Sequence, residues 1–195
     1  MEQPRPTSRT WRSWLGGAAG VVLGAVLLFA AWAKALDPVG FAELIESEGL
    51  DLVLSASAWS LIMIVAEVAL GLALVLGLRR LWVLWPAAAM VALFVFLNAR
   101  AYWRFANGIV DDDATCGCFG NLLSRTPAEA FWQDLFLLVP PLLLAFVGRP
   151  GAISRERLRI AAVVVVSLAS IVFVWKAPEL PLDDLATQLS PGVEI

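Results

Sequence analysis

The sequence contains no histidine, only two cysteines, and few charged residues, which make up 16% of its 195 positions. Without histidine, the chain cannot supply haem ligands of that type, zinc sites that contain histidine, or Ser–His catalysis. Two cysteines are too few for the four thiolates of a structural zinc site or an iron–sulfur cluster. They are also too few for a relay between two cysteine pairs of one chain. Any redox chemistry here therefore depends on a single thiol pair and on partners outside the chain.

Hydrophobic residues are abundant instead, at 60% of the sequence, whereas a soluble domain is nearer half apolar. They fall into five runs, each about the length that a helix needs to cross a bilayer. The runs are 14–33, 56–78, 81–105, 130–147 and 160–175. The sequence therefore predicts an all-α membrane protein with five transmembrane helices, embedded in a lipid bilayer.

The connections between the runs differ in character. Arg79 and Arg80 alone separate the second run from the third, which predicts an antiparallel helical hairpin. The first connection, 37–54, contains apolar residues spaced like one face of a short helix, which we expect to lie on the membrane surface. Those residues are Phe41, Leu44, Ile45 and Leu50.

Lysine and arginine are unevenly distributed between the two sides of this arrangement. Nine lie in the N-terminal segment, at 79–80 and in 149–159, and five lie on the opposite side. Because cytoplasmic loops are enriched in these residues, we expect an inner (plasma) membrane protein with residues 1–13 in the cytoplasm. The loop 106–128 and the tail 177–195 are then extracytoplasmic. Cleavage after the first run remains an alternative, since Ala33-Lys34-Ala35 has the small-x-small form of a signal-peptide site.

The two cysteines, Cys116 and Cys118, lie in the polar loop 106–128 with Gly117 between them. A thiolate attacks disulfides, and an exposed, strained disulfide tends to be labile. Protein disulfides also form and persist outside the cytoplasm. These points favour a redox-active pair. A static clip and a Cu(I) site are the alternatives. A bridge across one residue removes little loop entropy. Two thiolates suit the soft Cu(I) ion, but the three aspartates at 111–113 are hard oxygen donors that do not match its preference.

Charged residues near or within the predicted membrane helices form a second group of candidates. Glu67 lies in the middle of the second run, where an ionisable side chain suggests a functional site, and a structural hydrogen bond between helices is the alternative. Its candidate partners are Lys34 and Arg100. Arg100 and Arg104 could also lower the pKa of a nearby thiol. Asp134, near the start of the fourth run, is expected to reach water.

Three strings resemble known membrane families. Trp32-Ala33-Lys34-Ala35-Leu36-Asp37-Pro38 with Phe41, and Glu67 followed by Gly71 and Gly77, resemble the first two helices of the DoxX-like superfamily. Cys116-Gly117-Cys118-Phe119-Gly120 is similar to the MauE branch, the membrane proteins of methylamine utilisation. The resemblance covers roughly residues 14–148.

The MauE resemblance implies a DoxX-like four-helix bundle over 14–148, to which this chain adds a basic loop and a fifth helix over 149–176. It also implies a role in handling disulfides of exported proteins, with an extracytoplasmic thioredoxin-like or other cysteine-containing partner. We therefore predict a membrane thiol–disulfide oxidoreductase with Cys116 and Cys118 as its reactive pair. Electrons would pass to or from a quinone or a second protein. A non-enzymatic subunit of a membrane complex is the alternative, and no nucleic-acid partner is expected.

Overall fold

A computed structural model describes residues 11–49, 53–109, 126–147 and 155–177. Within these ranges the secondary structure consists of six α-helices, and no strand is formed. The helices are α1 (Trp11–Leu36), α2 (Pro38–Ser47), α3 (Ala56–Val75), α4 (Leu81–Ala106), α5 (Pro127–Ala145) and α6 (Glu156–Lys176). All except α2 are long and apolar enough to cross a membrane. The predicted all-α membrane fold with five spanning helices is therefore confirmed.

The helix ends differ from the predicted runs by a few residues, for local reasons. Helix α3 ends at Val75 because Gly77 adopts a positive φ of 77°, a conformation that glycine tolerates without steric cost. Helix α5 begins at Pro127 because Thr126 and Glu129 form a reciprocal capping box, which satisfies backbone donors that would otherwise be unpaired. A glycine turn and a polar cap therefore set these two helix boundaries.

Successive long helices run in opposite directions, so the bundle has two distinct ends. Helices α1 and α4 finish, and α3 and α5 begin, at what we call the loop end, since residues 110–125 connect α4 to α5 there. The opposite end, where Arg79 and Arg80 join α3 to α4, is called the arginine end. Between them lies an apolar core that α1, α3, α4 and α5 share. Its most deeply buried members include Leu23, Leu27, Leu74, Leu84, Val91 and Leu138.

Helices α1 and α3 approach each other closely at two glycines. A Cβ atom on Gly24 would lie 2.6 Å from the carbonyl oxygen of Gly71, and one on Gly71 would lie 2.9 Å from the carbonyl oxygen of Gly24. Small residues at helix crossings permit such close packing of backbones in membranes. This crossing fixes the register between α1 and α3, the two helices that carry the main buried charges.

Arg79 is buried at the arginine end, with 2% of its surface exposed. Its guanidinium donates hydrogen bonds to the carbonyl oxygens of Ser13 (3.0 Å), Ala145 (3.3 Å) and Val147 (3.2 Å). The last carbonyls of a helix have no partner within it, so Arg79 satisfies the end of α5 and joins it to the start of α1. Gly16 leaves the necessary space, because a Cβ there would overlap the guanidinium.

Arg80, next to Arg79 in sequence, behaves differently. Its side chain is 36% exposed and forms a two-point contact with Glu156 at the start of α6, with Nη2 2.9 Å from Oε2. The hydrogen bond to that carboxylate raises the pKa of Arg80 above its ordinary value. The pair therefore joins the α3–α4 turn to α6 without being buried.

Helix α2 is confirmed as a helix, but its apolar face does not lie on a membrane surface. Phe41 and Ile45 are buried against α1 and α3, in a second apolar cluster that also contains Ala31 and Ile64. The Asp37 side chain caps α2 by accepting a hydrogen bond from the backbone N–H of Gly40 at 2.8 Å. The tight corner between α1 and α2 turns the helix back onto the bundle. Leu50, the fourth predicted member of this face, lies outside the described residues.

Helix α6 packs against α3 and leaves most of its surface exposed, with Val174 as its buried residue. Arg159 anchors it by donating to the carbonyl oxygen of Leu76 at the end of α3. The fifth helix is thus an addition to one side of a bundle whose core the other four spanning helices complete.

Candidate functional site

The predicted reactive segment, Cys116, Gly117, Cys118, Phe119 and Gly120, lies outside the described residues. Its neighbours in the chain are described: α4 is followed as far as Ile109, and the chain resumes at Thr126 before α5. Both of these points are at the loop end. The roles predicted for the two cysteines therefore stay predictions.

A buried ion pair between Lys34 and Glu67 is the main charged feature of the bundle interior. The Lys34 ammonium donates a hydrogen bond to Glu67 Oε1, and the side chains are 1% and 0% exposed. Two aromatic rings flank the ammonium, with their centroids 4.8 Å (Phe94) and 5.2 Å (Phe41) from Nζ. Of the two partners predicted for Glu67, the structure brings Lys34 to it. Arg100 contacts a different carboxylate.

The backbone geometry explains why these two side chains meet. Helices α1 and α3 are antiparallel with Gly24 near Gly71, which places Lys34 about six residues, roughly 9 Å of helix rise, nearer the loop end than Glu67. Side chains in a helix tilt toward its N-terminus. The Lys34 side chain therefore tilts toward the arginine end and the Glu67 side chain tilts toward the loop end. These opposite tilts bring the two charged groups together.

The second oxygen of Glu67 has no hydrogen-bond partner among the described residues. Burying a carboxylate and an ammonium is costly, and their attraction offsets the cost only when the remaining polar atoms are also satisfied. An unsatisfied buried acceptor is destabilising by about 1–3 kcal/mol. The pair therefore has one free, desolvated carboxylate oxygen in the bundle interior, which could accept a proton or a donor group.

A second buried polar pair joins α4 to α5. Asn98 Nδ2 donates to Asp134 Oδ2 at 2.8 Å, and the residues are 5% and 1% exposed. The expectation that Asp134 reaches water is therefore wrong, because α4 covers it. One turn nearer the loop end, the rings of Tyr102 and Phe131 stack with centroids 5.4 Å apart. Sequence reasoning missed Asn98, although an amide in an apolar run four residues before Tyr102 was a usable signal.

Arg100 and Arg104 lie on the last turns of α4, shortly before Ile109, the last described residue of this part of the chain, and both contact Glu48 at the end of α2. Arg100 Nη1 lies 2.9 Å from Glu48 Oε2 and donates to the Glu48 carbonyl oxygen at 3.1 Å. The 2.9 Å contact is an ion pair without the alignment of a hydrogen bond. Arg104 Nη1 lies 3.5 Å from Oε1. Both arginines stay partly exposed, at 41% and 32%.

In the described part of the chain, no three acidic or thiol side chains are grouped closely enough to hold a metal ion. The Cu(I) alternative concerns the two cysteines, which lie outside that part. What the described residues offer is proton-binding and anion-binding chemistry. The buried Glu67 carboxylate, with one oxygen that accepts no hydrogen bond, lies within the bundle, and two partly exposed guanidinium groups lie at the loop end.

Together, these features define a multi-pass helical membrane protein with buried charged pairs and a thiol pair in the connection between α4 and α5. The chain belongs to the MauE family, described as methylamine utilisation protein MauE, whose family model matches residues 12–147. The predicted resemblance to MauE is therefore confirmed. Helix α6 lies beyond the matched region.

The chain is also similar to Protein TlpB of Flavobacterium psychrophilum, with 33% identity over 111 residues. That similarity covers 54% of this chain and 26% of the relative, so this chain spans about a quarter of that protein's length. No solved structure matches the chain.

Proposed function

We propose that this protein is a membrane thiol–disulfide oxidoreductase in which Cys116 and Cys118 cycle between a dithiol and a disulfide. The observation that carries the proposal is the location of the chain's only two thiols. They lie in the segment between α4 and α5 of a MauE-family bundle. Family membership fits a redox-related role in a membrane, and a lone pair of thiols two residues apart is suited to exchange rather than to loop stabilisation.

The exchange balances within the proposed partners. A dithiol on an exported, thioredoxin-like or client protein reduces the Cys116–Cys118 disulfide: one S–S bond breaks here and one forms in the partner. The resulting dithiol then transfers two electrons and two protons to a quinone from the bilayer, which restores the disulfide and leaves a quinol. We propose that the segment faces the extracytoplasmic side, because protein disulfides persist there.

Arg100 and Arg104 support the thiol chemistry in this proposal. Guanidinium groups near a thiol favour its ionised form, and both arginines lie on the last two turns of α4, the helix that precedes the cysteine segment in the chain. Glu48 holds them at that end of the bundle. A thiolate formed nearby would meet two positive groups that are already oriented.

The test uses the full chain in liposomes, with dithiothreitol as the dithiol and a short-chain benzoquinone as the acceptor. We expect quinone reduction that depends on both thiols, so that C116S, C118S and the double variant fall to the rate of empty liposomes. Thr115→Ser is the matched control, since it changes the neighbouring hydroxyl residue and leaves both thiols. Equal rates for the double variant and the wild type would refute the proposal and favour a non-enzymatic subunit.

A further inference from the structure

We propose that Glu67 is an intramembrane proton acceptor that binds one proton in each turnover, with Lys34 as the residue that positions it. This inference rests on the proposed function, because the proton originates from the oxidation of the dithiol. It concerns a site that is separate in sequence from the cysteines and is formed by α1, α3 and the aromatic rings of α2 and α4.

The first argument is the free oxygen of the carboxylate. Lys34 occupies Oε1 of Glu67, whereas Oε2 is buried with no hydrogen-bond partner among the described residues. A pair that served only to join helices would be expected to satisfy both oxygens, because unsatisfied buried acceptors are rare in native proteins. Asp134, a second buried carboxylate among the described residues, receives the Asn98 amide, and Oε2 of the partly exposed Glu48, which also lacks a hydrogen bond, lies 2.9 Å from a guanidinium nitrogen. Oε2 is therefore the atom to which we assign the proton.

The second argument is that the site can hold the charge that protonation would leave. When Glu67 becomes neutral, the Lys34 ammonium loses its counter-ion in a buried place. The rings of Phe94 and Phe41 lie 4.8 and 5.2 Å from Nζ, within the range at which an aromatic face attracts a cation. The same arrangement therefore accommodates both the ion pair and the state in which only Lys34 is charged.

The third argument is the direction of the lysine side chain. Lys34 lies two residues before the end of α1, where a lysine usually extends toward the headgroups and water. Here it points into the bundle and is 1% exposed. A lysine that only anchored the helix end would not require a desolvated partner, so its inward position indicates that its role is to hold Glu67.

Other charged groups around the pair have partners of their own. On the corner that leads to α2, Asp37 caps the helix at Gly40. On α4, Arg100 and Arg104 contact Glu48, and on α5 Asp134 pairs with Asn98. On α6, Arg159 at the arginine end donates to Leu76, and Lys176 lies in the last turn at the loop end.

The chemistry balances as follows. Oxidation of the dithiol breaks two S–H bonds, forms one S–S bond and releases two electrons and two protons. Both electrons and both protons end on the quinone, which becomes a quinol. Glu67 binds one of those protons on Oε2 and releases it again within the same turnover, so its net protonation is unchanged.

The decisive comparison is between E67Q and the double variant K34M/E67Q in the quinone-reduction assay. A positioned proton acceptor contributes about 100-fold or more to a rate, so we expect both variants to lose roughly 100-fold. A structural pair predicts the opposite for the double variant, because a buried ion pair can usually be replaced by neutral side chains without loss. Near-wild-type activity of K34M/E67Q would overturn the inference. Asp134→Asn is the control carboxylate, which we expect to retain activity.

A second measurement does not depend on turnover. Infrared spectra of the wild type in liposomes are recorded from about pH 5 to about pH 9, which brackets the pH that suits general acid–base groups. We expect a carboxylic-acid band that titrates within this range, is absent in E67Q and persists in D134N. A wild type without such a band would overturn the inference even if neither Glu67 variant folds. In contrast, a quinone-reduction rate that is the same with and without the two thiols refutes the proposed function itself.

Discussion

Replacing Gly24 with alanine tests the helix crossing on which the buried pair depends. The added Cβ would lie 2.6 Å from the carbonyl oxygen of Gly71, which is 0.8 Å short of the 3.4 Å at which ordinary contact begins. It would also lie 2.9 Å from Val75 Cγ2. The nearest atom belongs to a helix backbone and cannot rotate away, so α1 and α3 must separate.

Overpacking of this kind costs about 1–3 kcal/mol, whereas alanine is favoured over glycine within a helix by about 1 kcal/mol. We therefore expect G24A to reduce the free energy of unfolding by up to about 2 kcal/mol, the difference between the two effects. Gly17, on the same helix, is the matched control, because a Cβ there meets no atom within 4 Å. We expect G17A to raise the free energy of unfolding by up to about 1 kcal/mol.

The assay is unfolding in mixed micelles by a denaturing detergent, followed by far-UV circular dichroism, with the same protocol for both variants. The reasoning predicts that the midpoint falls for G24A and rises or stays unchanged for G17A. If the two variants shift together in either direction, the backbone contact between Gly24 and Gly71 does not limit the approach of the helices. The account of how Lys34 reaches Glu67 would then fail with it.

Two further variants test the ends of the helices with the same unfolding assay. Arg79→Met removes the donor to three carbonyl oxygens and should lower the free energy of unfolding by about 3 kcal/mol, near the upper value for hydrogen bonds of a charged group. Arg80→Met changes an exposed side chain and should shift the midpoint little. Similar shifts for the two variants would contradict the role of Arg79. Thr126→Ala removes the cap of α5 and should cost about 1 kcal/mol, and an unchanged midpoint would show that the capping box does not stabilise the bundle.

The spanning helices could be predicted from the sequence because the apolar runs have the length of a bilayer and polar residues interrupt them. The buried pair was half predicted. Glu67 is an anomaly in an apolar run, but the sequence left both Lys34 and Arg100 as candidate partners. The choice depends on the register that the Gly24–Gly71 crossing imposes and on the inward tilt of Lys34, neither of which a pattern of residue types contains.

Two features were not predictable for related reasons. Arg79 and Arg80 are adjacent and chemically identical, and only the packing of α5 against α1 determines which one is buried. Helix α2 was correctly expected to be amphipathic, but its apolar face could meet either lipid or protein. The Asp37 cap and the tight corner after α1 direct that face onto α3, and such an angle is a property of the folded chain.

The buried position of Arg79 has a consequence for the order in which the chain is synthesised and inserted. Two of the three carbonyl oxygens that it binds, those of Ala145 and Val147, are at least 66 residues later in the chain. During synthesis the α3–α4 hairpin is therefore complete long before its guanidinium can find these partners. Until then, burying Arg79 against α1 would leave part of its guanidinium without hydrogen-bond acceptors, so the side chain is more stable in water. Arrival of α5 thus supplies the acceptors that allow this end to close, which makes closure of the bundle a late, cooperative event.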